Sequence, residues 1–336
     1  MNYIYKTVIV SGIACLIAGE AAAQTTWDVS LWGMRRAFTE HVHMLSELVE
    51  ERTNGEFKLN ISYGGLSKPS ENLDGVSFGA FEMAMVCPFN HPAKLPTFNV
   101  MDLPFLGISS VGQQGASDAI MLENPILRRD LARWNAVPVM PSPQSQYNLV
   151  GRGDALDTLA GFQGMRIRAN GVMALALAKL GAVPTPIPST EVYSSLDAGV
   201  VDAVAFADHA QLAFGLAEAG DWWTTNLNPG TGTCPIVANV DAVDSLSNEN
   251  RQILFAAVPE AMEHYYASYD EAVKEWRKTA EDSGLKLITF SEDQLADIRE
   301  LVLPIHEEWI TQVTSQGHDG QALYDAMVAA VSATSK

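Results

Sequence analysis

Cations are scarce in this chain. Its 336 residues carry 21 Lys and Arg against 40 Asp and Glu, a formal charge of −19. A nucleic-acid binder needs a basic face to displace phosphate counterions, so the balance argues against that class. Cysteine is scarcer still, with three residues at positions 15, 87 and 234. No HExxH or CxxC spacing, no phosphate-cradling glycine loop and no GxSxG elbow is present. No metal, no cofactor and no catalysis are therefore expected. Internal repeats, low-complexity tracts and disordered linkers are also missing. Beyond the first two dozen residues, no apolar run reaches the roughly 20 residues a spanning helix needs.

The opening stretch "MNYIYKTVIVSGIACLIAGEAAAQ" has one early cation (Lys6), an apolar run from Thr7 to Gly19, and the small residues Ala21-Ala22-Ala23. That is the three-part pattern of a secretory signal peptide, with cleavage expected after Ala23. Cys15 offers a rival reading, a lipid-anchored protein cleaved before that cysteine, although "SGIA" ahead of it fits such a site poorly. Export places Cys87 and Cys234 in an oxidising compartment. A bridge and two buried thiols acting as small hydrophobes remain equal alternatives.

What is present is an alternation of strand and helix. Thr25–Trp32 alternates like a strand, and Phe38, Val42, Leu45, Leu48 and Val49 then recur at helical spacing up to a stop at Asn54-Gly55. Phe57–Tyr63 reads as a strand. A helix, a turn at Gly79 and a buried strand near Met83–Val86 follow. "NAVPVMPSP" is a short strand running into a proline-marked crossing. In the second half "MRIRA" is a strand, "GVMALALAKLG" a helix, and Ser189-Thr190 a cap before "EVYSSLDAG". Residues 247–284 are almost wholly helical, with one long helix among them. Short strand–helix–strand units in this order imply parallel sheets covered by helices, an α/β class. The histidines are scattered. His41 and His43, two apart on a helix, read as surface groups, while His209 beside Asp208 is the one placed to face a cleft. Trp222 and Trp223 read as core.

The stretch "GFQGMRIRANG" puts two arginines into an apolar strand. Alternation sends Arg166 and Arg168 to one face, opposite Met165, Ile167 and Ala169. Both would be solvated on an ordinary edge strand. Arg168, however, stands at the strand's carboxyl end, just before a helix beginning near Gly171. Ligands in open α/β sheets bind beyond strand carboxyl ends, and helix starts favour anions.

From that point the sequence is familiar. "LAGFQGMRIRANGVMALALAKLGAVPTPIPSTEVYSSLDAGVVDAVAF" resembles the solute-binding proteins of tripartite ATP-independent periplasmic (TRAP) transporters. Gly164, Arg168, Gly181-Ala182, Pro184, Glu191-Val192-Tyr193, Leu196, Gly199 and Asp202 fall in the family's order. "ERTNGEFKLNISYGG" and "VMDLPFL" resemble its other recurrent stretches. The resemblance implies a two-domain periplasmic-binding-protein fold with mixed, mostly parallel sheets, a hinge, and a long helix spanning both domains. The expected division is 1–23 leader, 24–145 first domain with a return segment at about 235–265, and 146–234 second domain. Helices from about 285 to 336 would pack around both.

It also implies a periplasmic monomer that captures a small organic acid anion and passes it to the membrane permease subunits of such a transporter. The family's carboxylate-clamping arginine falls on Arg168. A guanidinium suits that task because its planar fork pairs with a carboxylate through two charge-assisted bonds. The long-range repulsion of a −19 protein is screened beyond roughly 8 Å at physiological salt. The second arginine of sugar-acid-binding members is replaced by a glutamine, Gln146, and their asparagine by Phe206. One cation fewer points to a monocarboxylate with a flat or apolar portion. Trp32, Phe89 and Asn90, after strands of the first domain, are the expected opposing wall. Two rivals stand beside this reading: a binding protein for an ATP-driven importer or sensor, and an extracytoplasmic enzyme acting on an organic acid.

Overall fold

The structure is a computed structural model and describes residues 24–335; the expected leader, with Cys15, lies outside the described residues. Eleven strands are described, in chain order β1 (Thr25–Leu31), β2 (Phe57–Tyr63), β3 (Met83–Met85), β4 (Ala136–Met140), β5 (Tyr147–Gly151) and β6 (Arg166–Arg168). They continue as β7 (Val183–Thr185), β8 (Ala203–Ala207), β9 (Trp222–Thr224), β10 (Ile236–Asn239) and β11 (Lys286–Ile288). One sheet has the order β2-β1-β3-β10-β4 and the other β11-β9-β5-β8-β6-β7. Both are mixed. β10 runs antiparallel to β3 and β4, β5 runs antiparallel to β8 and β9, and the remaining pairings are parallel. The chain thus folds as two α/β domains.

Local chemistry accounts for the first domain's elements. Trp27, Val29 and Leu31 alternate onto the buried face of β1, where they join Phe38, Val42, Leu45 and Val49 in one core. The helix Glu40–Arg52 carries those last three and ends where Asn54 (φ 50°) and Gly55 (φ 82°) take left-handed conformations. His41 is buried rather than on the surface as its spacing from His43 suggested. It precedes Leu45 and Leu48 by four and seven residues, so the helix turns it into the apolar stripe. There its Nε2 meets Ser142 Oγ at 2.5 Å, and burial pushes its pKa down to about 3. His43 is half-buried and hydrogen-bonds Tyr63.

The expected long helix is Val258–Asp282. Its first half puts Tyr265 and Tyr269 into the first core, and its second half puts Trp276 and Ala280 into the other. It packs on helix Glu40–Arg52 of one domain and helix Asp208–Ala213 of the other. Trp276 meets Trp223 edge-on at 5.6 Å, and both Trp222 and Trp223 are core, as read from the sequence. The tyrosines also grip the crossing between the domains. Tyr265 donates to Pro143 O, and Tyr269 Oη accepts from Ser145 N at 2.8 Å. No described helix is long and apolar enough to cross a membrane.

Cys87 and Cys234 are bridged, which resolves the alternative left open by the sequence. The bond joins the turn after β3 to the segment before β10, 147 residues further along. A cross-link closing a loop this long is worth about 2–4 kcal/mol through the unfolded chain it constrains. Urea unfolding of the Cys87→Ala/Cys234→Ala double variant is expected to show a loss of that order; a change under about 1 kcal/mol would mean the bridge is not a stability element.

Candidate functional site

The two sheets face each other across a cleft whose walls come from strand ends. Trp32 follows β1, Phe89 follows β3, Tyr147 opens β5, Arg168 ends β6 and Phe206 lies in β8; all five line it. Gln144, Thr231 and Gly232, from the two crossings between the domains, complete its floor. In this conformation the cleft is narrow, with room for little more than a water, so admitting an organic acid requires the domains to part about their hinge.

Arg168 is 2% exposed. Its strand lies between β7 and β8, so the backbone position is set by both neighbours. Its Nε donates to Ile187 O at 3.0 Å and its Nη2 to Ser189 Oγ at 3.2 Å. With the Asn170 amide turned so that both its ends are satisfied, its oxygen also accepts from Nη2 at 3.0 Å. The guanidinium carbon lies 4.2 Å from the Phe206 ring centroid, a cation–π contact. Burial pulls the pKa down to about 10, which leaves the group charged at neutral pH. Among the described residues no carboxylate pairs with it. Ser189, read from the sequence as a helix cap, makes no capping bond and serves the arginine instead.

The partner arginine of the sequence motif does a different job. Arg166 is exposed, and Asp202 accepts from its backbone N at 2.8 Å and from Nη2 at 2.5 Å. This ion pair stitches β6 to the approach of β8 and explains the motif's aspartate structurally. Arg152 likewise spends its guanidinium on Asp197 and Leu196 backbone oxygens.

The remaining expected site residues divide. Trp32, Phe89 and Phe206 line the cleft with Arg168. Asn90 sits in the same turn as Phe89 but is not part of the lining. Gln146 opens onto a separate cavity with Asn228 and Arg299, and Gln144, two residues earlier, is the glutamine in the cleft. Its Nε2 donates to Gly232 O at 2.7 Å. The crossing is irregular, so counting along it did not tell which glutamine turns inward.

Sequence reasoning missed several residues. Tyr147 is buried against the cleft and stands 6.3 Å edge-on from Phe206. Asp102 is fully enclosed, and burial pushes its carboxyl well above the usual range. Its Oδ1 accepts from Thr233 N at 2.7 Å, and Thr233 Oγ1 donates to Asp118 Oδ2 at 2.9 Å. Arg36, 8% exposed, is a second buried guanidinium, beside Trp32 but not among the residues that line the cleft. It comes from the loop after β1, far in sequence from the family motif, and nothing local in "WGMRRAF" marks it as buried. His209 reaches the cleft as read, with Nδ1 2.6 Å from Tyr269 Oη.

Gly171 comes close to Phe89 across the cleft. Gly171 has φ 57°, and a Cβ there would lie 2.7 Å from Phe89 Cβ. Gly171→Ala therefore meets both a left-handed backbone penalty of about 1–2 kcal/mol and a collision that only the closed form contains. Small-angle scattering is expected to show a more open average shape for Gly171→Ala than for wild type. Identical profiles would dismiss this contact as a determinant of closure.

The acid pair sets a pH dependence. Asp118, buried, has its pKa raised to about 7, against roughly 4 in an unfolded chain. Between those values the folded form holds the proton that the unfolded form releases, so this group makes stability fall as pH rises from about 4 to about 7. Scanning calorimetry of Asp118→Asn is expected to show a gain in Tm over wild type at pH 8 and little difference at pH 4. An equal shift at both pH values would exclude titration of Asp118 as the cause.

Comparison with known proteins agrees with this architecture. The family model described as DctP, bacterial extracellular solute-binding protein, family 7, matches residues 30–312. The 2,3-diketo-L-gulonate-binding periplasmic protein of Escherichia coli is 24% identical over 296 residues, 84% of this chain and 86% of that one. A monocarboxylate 2-oxoacid-binding periplasmic protein of Nostoc is 24% identical over 299 residues, covering 84% of this chain and 77% of the other. Among solved structures, a marine metagenome TRAP solute-binding protein specific for aromatic acid ligands, in complex with metahydroxyphenylacetate, superposes with a TM-score of 0.84. It is 21% identical and the match covers 93% of this chain and all of that one. A TRAP periplasmic solute-binding protein of Bordetella bronchiseptica with bound mandelate gives 0.82 at 19% identity, covering 93% and 100%. With its two sheets closed over a cationic cleft and its family model matched along most of its length, the chain belongs to the DctP family and is a periplasmic solute-binding protein of the TRAP transporter type.

Proposed function

We propose that this protein captures a small organic monocarboxylate with a flat or apolar body and delivers it to the membrane permease of its transporter. The observation that carries the reading is Arg168: a buried guanidinium, without a carboxylate partner among the described residues, at the centre of a cleft between two domains. An organic carboxylate supplies the missing charge. Two charge-assisted bonds at about 1.5–3 kcal/mol each make this one residue able to separate micromolar from millimolar binding. Trp32, Phe89, Tyr147 and Phe206 offer aromatic walls to the rest of the molecule, and Val172 and Met173 add apolar surface. The aromatic acids held by proteins of the same fold, metahydroxyphenylacetate and mandelate, are ligands of this kind. The ligand favours the closed form because only there do both domains touch it.

A thermal-shift screen of organic acids, followed by calorimetry on the hits, tests the reading. Arg168→Ala is expected to abolish binding while the variant remains folded, and Arg168→Lys to weaken it at least tenfold, since an ammonium has no fork. A lysine variant that binds like wild type would remove bidentate capture from the account.

A further inference from the structure

A second cavity, of about 610 Å³, adjoins the crossing between the domains and shares only Thr231 with the lining of the cleft. That volume falls within the roughly 300–1,000 Å³ of small-molecule sites. Its walls come mainly from three parts of the chain. These are residues 101–108 at and beyond the end of the 3-10 helix Pro96–Asp102, residues 226–231 after β9, and the helix Glu292–Val302.

The lining differs in kind from that of the cleft. Leu103, Leu106, Ile108, Leu227 and Leu295 give aliphatic walls, and Phe105 is the one aromatic residue among them. Arg299 is the one charged residue of the lining, which contains no Asp or Glu. In a chain with 40 acidic and 21 basic residues, a cavity that holds a cation and no carboxylate reverses the prevailing sign. The Arg299 guanidinium lies 5.5 Å from the Phe105 ring centroid, and among the described residues it makes no ion pair. Two amides stand beside it in the lining, Gln146 and Asn228. Asn228 Oδ1 accepts from Asn148 Nδ2 at 2.9 Å, which leaves its own N–H groups for another acceptor.

The backbone around the cavity is held in an unusual shape. Four described residues other than glycine have left-handed φ values, and two of them, Phe105 (φ 55°) and Asn228 (φ 39°), line this cavity. Asparagine tolerates that region, whereas a phenylalanine there is a true outlier. Phe105 N donates to Pro229 O at 2.7 Å, and His306 Nε2 donates to Pro104 O at 2.7 Å, so the conformation is pinned from two sides. Strain retained in this way concentrates where a protein binds or reacts.

We propose that this cavity is a second ligand site, which takes an aliphatic monocarboxylate of medium chain length. Arg299, with the amides of Gln146 and Asn228, receives the carboxylate through charge-assisted bonds. The leucine and isoleucine walls remove the hydrocarbon chain from water. The site is distinct from the cleft and does not depend on Arg168 being the clamp there.

Calorimetry with octanoate and its uncharged counterpart octanamide tests this in Arg168→Ala, where the cleft has lost its guanidinium, or in Arg168→Lys should the alanine variant not fold. Octanoate is expected to bind with one-to-one stoichiometry, and octanamide at least tenfold more weakly. Adding Arg299→Ala is expected to weaken octanoate at least fivefold, and adding Leu295→Glu to abolish its binding. Arg299 is exposed, so its variant keeps the test open even if Leu295→Glu does not fold. Failure of octanoate to bind, equal binding of octanamide, or an octanoate affinity untouched by the cavity variants would overturn the second site. Benzoate binding to Arg299→Ala in an otherwise wild-type chain reports on the cleft alone and is expected to match wild type. A wrong clamp therefore shows as benzoate binding that survives Arg168→Ala, and a wrong second site as octanoate binding that ignores Arg299.

Discussion

A guanidinium held almost wholly out of water, with no carboxylate beside it, is costly unless every surrounding dipole is turned toward it. Arg168 meets that condition through Ile187 O, Ser189 Oγ and the face of Phe206, none of which carries a formal charge. The positive charge is therefore stabilised but not neutralised. Everything else about the cleft follows from keeping it so. β6 lies inside its sheet, between two parallel neighbours, which fixes the backbone from which the side chain projects. The carboxyl of Asp102 lies in the same cleft, where burial raises its pKa well above the usual range, and among the described residues it makes no ion pair with Arg168.

The closing machinery is built around the same point. The long helix Val258–Asp282 contributes to both cores, and its two buried tyrosines hold the chain where it crosses between domains. The disulfide ties the turn carrying Phe89 to the segment carrying Thr231 and Gly232, so one covalent link places a wall and the floor of the cleft together. Gly171 lets the backbone of one domain approach the aromatic wall of the other. Small rigid-body changes at the hinge are thereby converted into opening or shutting a narrow space.

Much of the fold was legible beforehand because it rests on local periodicity. The alternation in β1, the helix stopped by Asn54-Gly55 and the long helical run are written in spacing and turn chemistry, and the structure reproduces them. His41 departs from its surface reading because its spacing from Leu45 and Leu48 places it on the buried stripe, and position along the helix outweighs polar character there. The Arg166–Asp202 pair shows a further limit. Strand alternation correctly put both arginines on one face, yet one sits at the solvated edge and the other inside the cleft.

By itself the sequence determined the α/β alternation, the acidic surface, and the arginine at a strand's carboxyl end facing a helix start, since each depends on neighbours within a few residues. Only the tertiary structure decided that Cys87 meets Cys234, that Gln144 rather than Gln146 faces the cleft, and that Arg36 and His209 both pack against Phe38. Those relations join segments that are well separated along the chain or that turn irregularly. Their geometry is set by how the two cores pack, and no local pattern of residues encodes the distance between two domains.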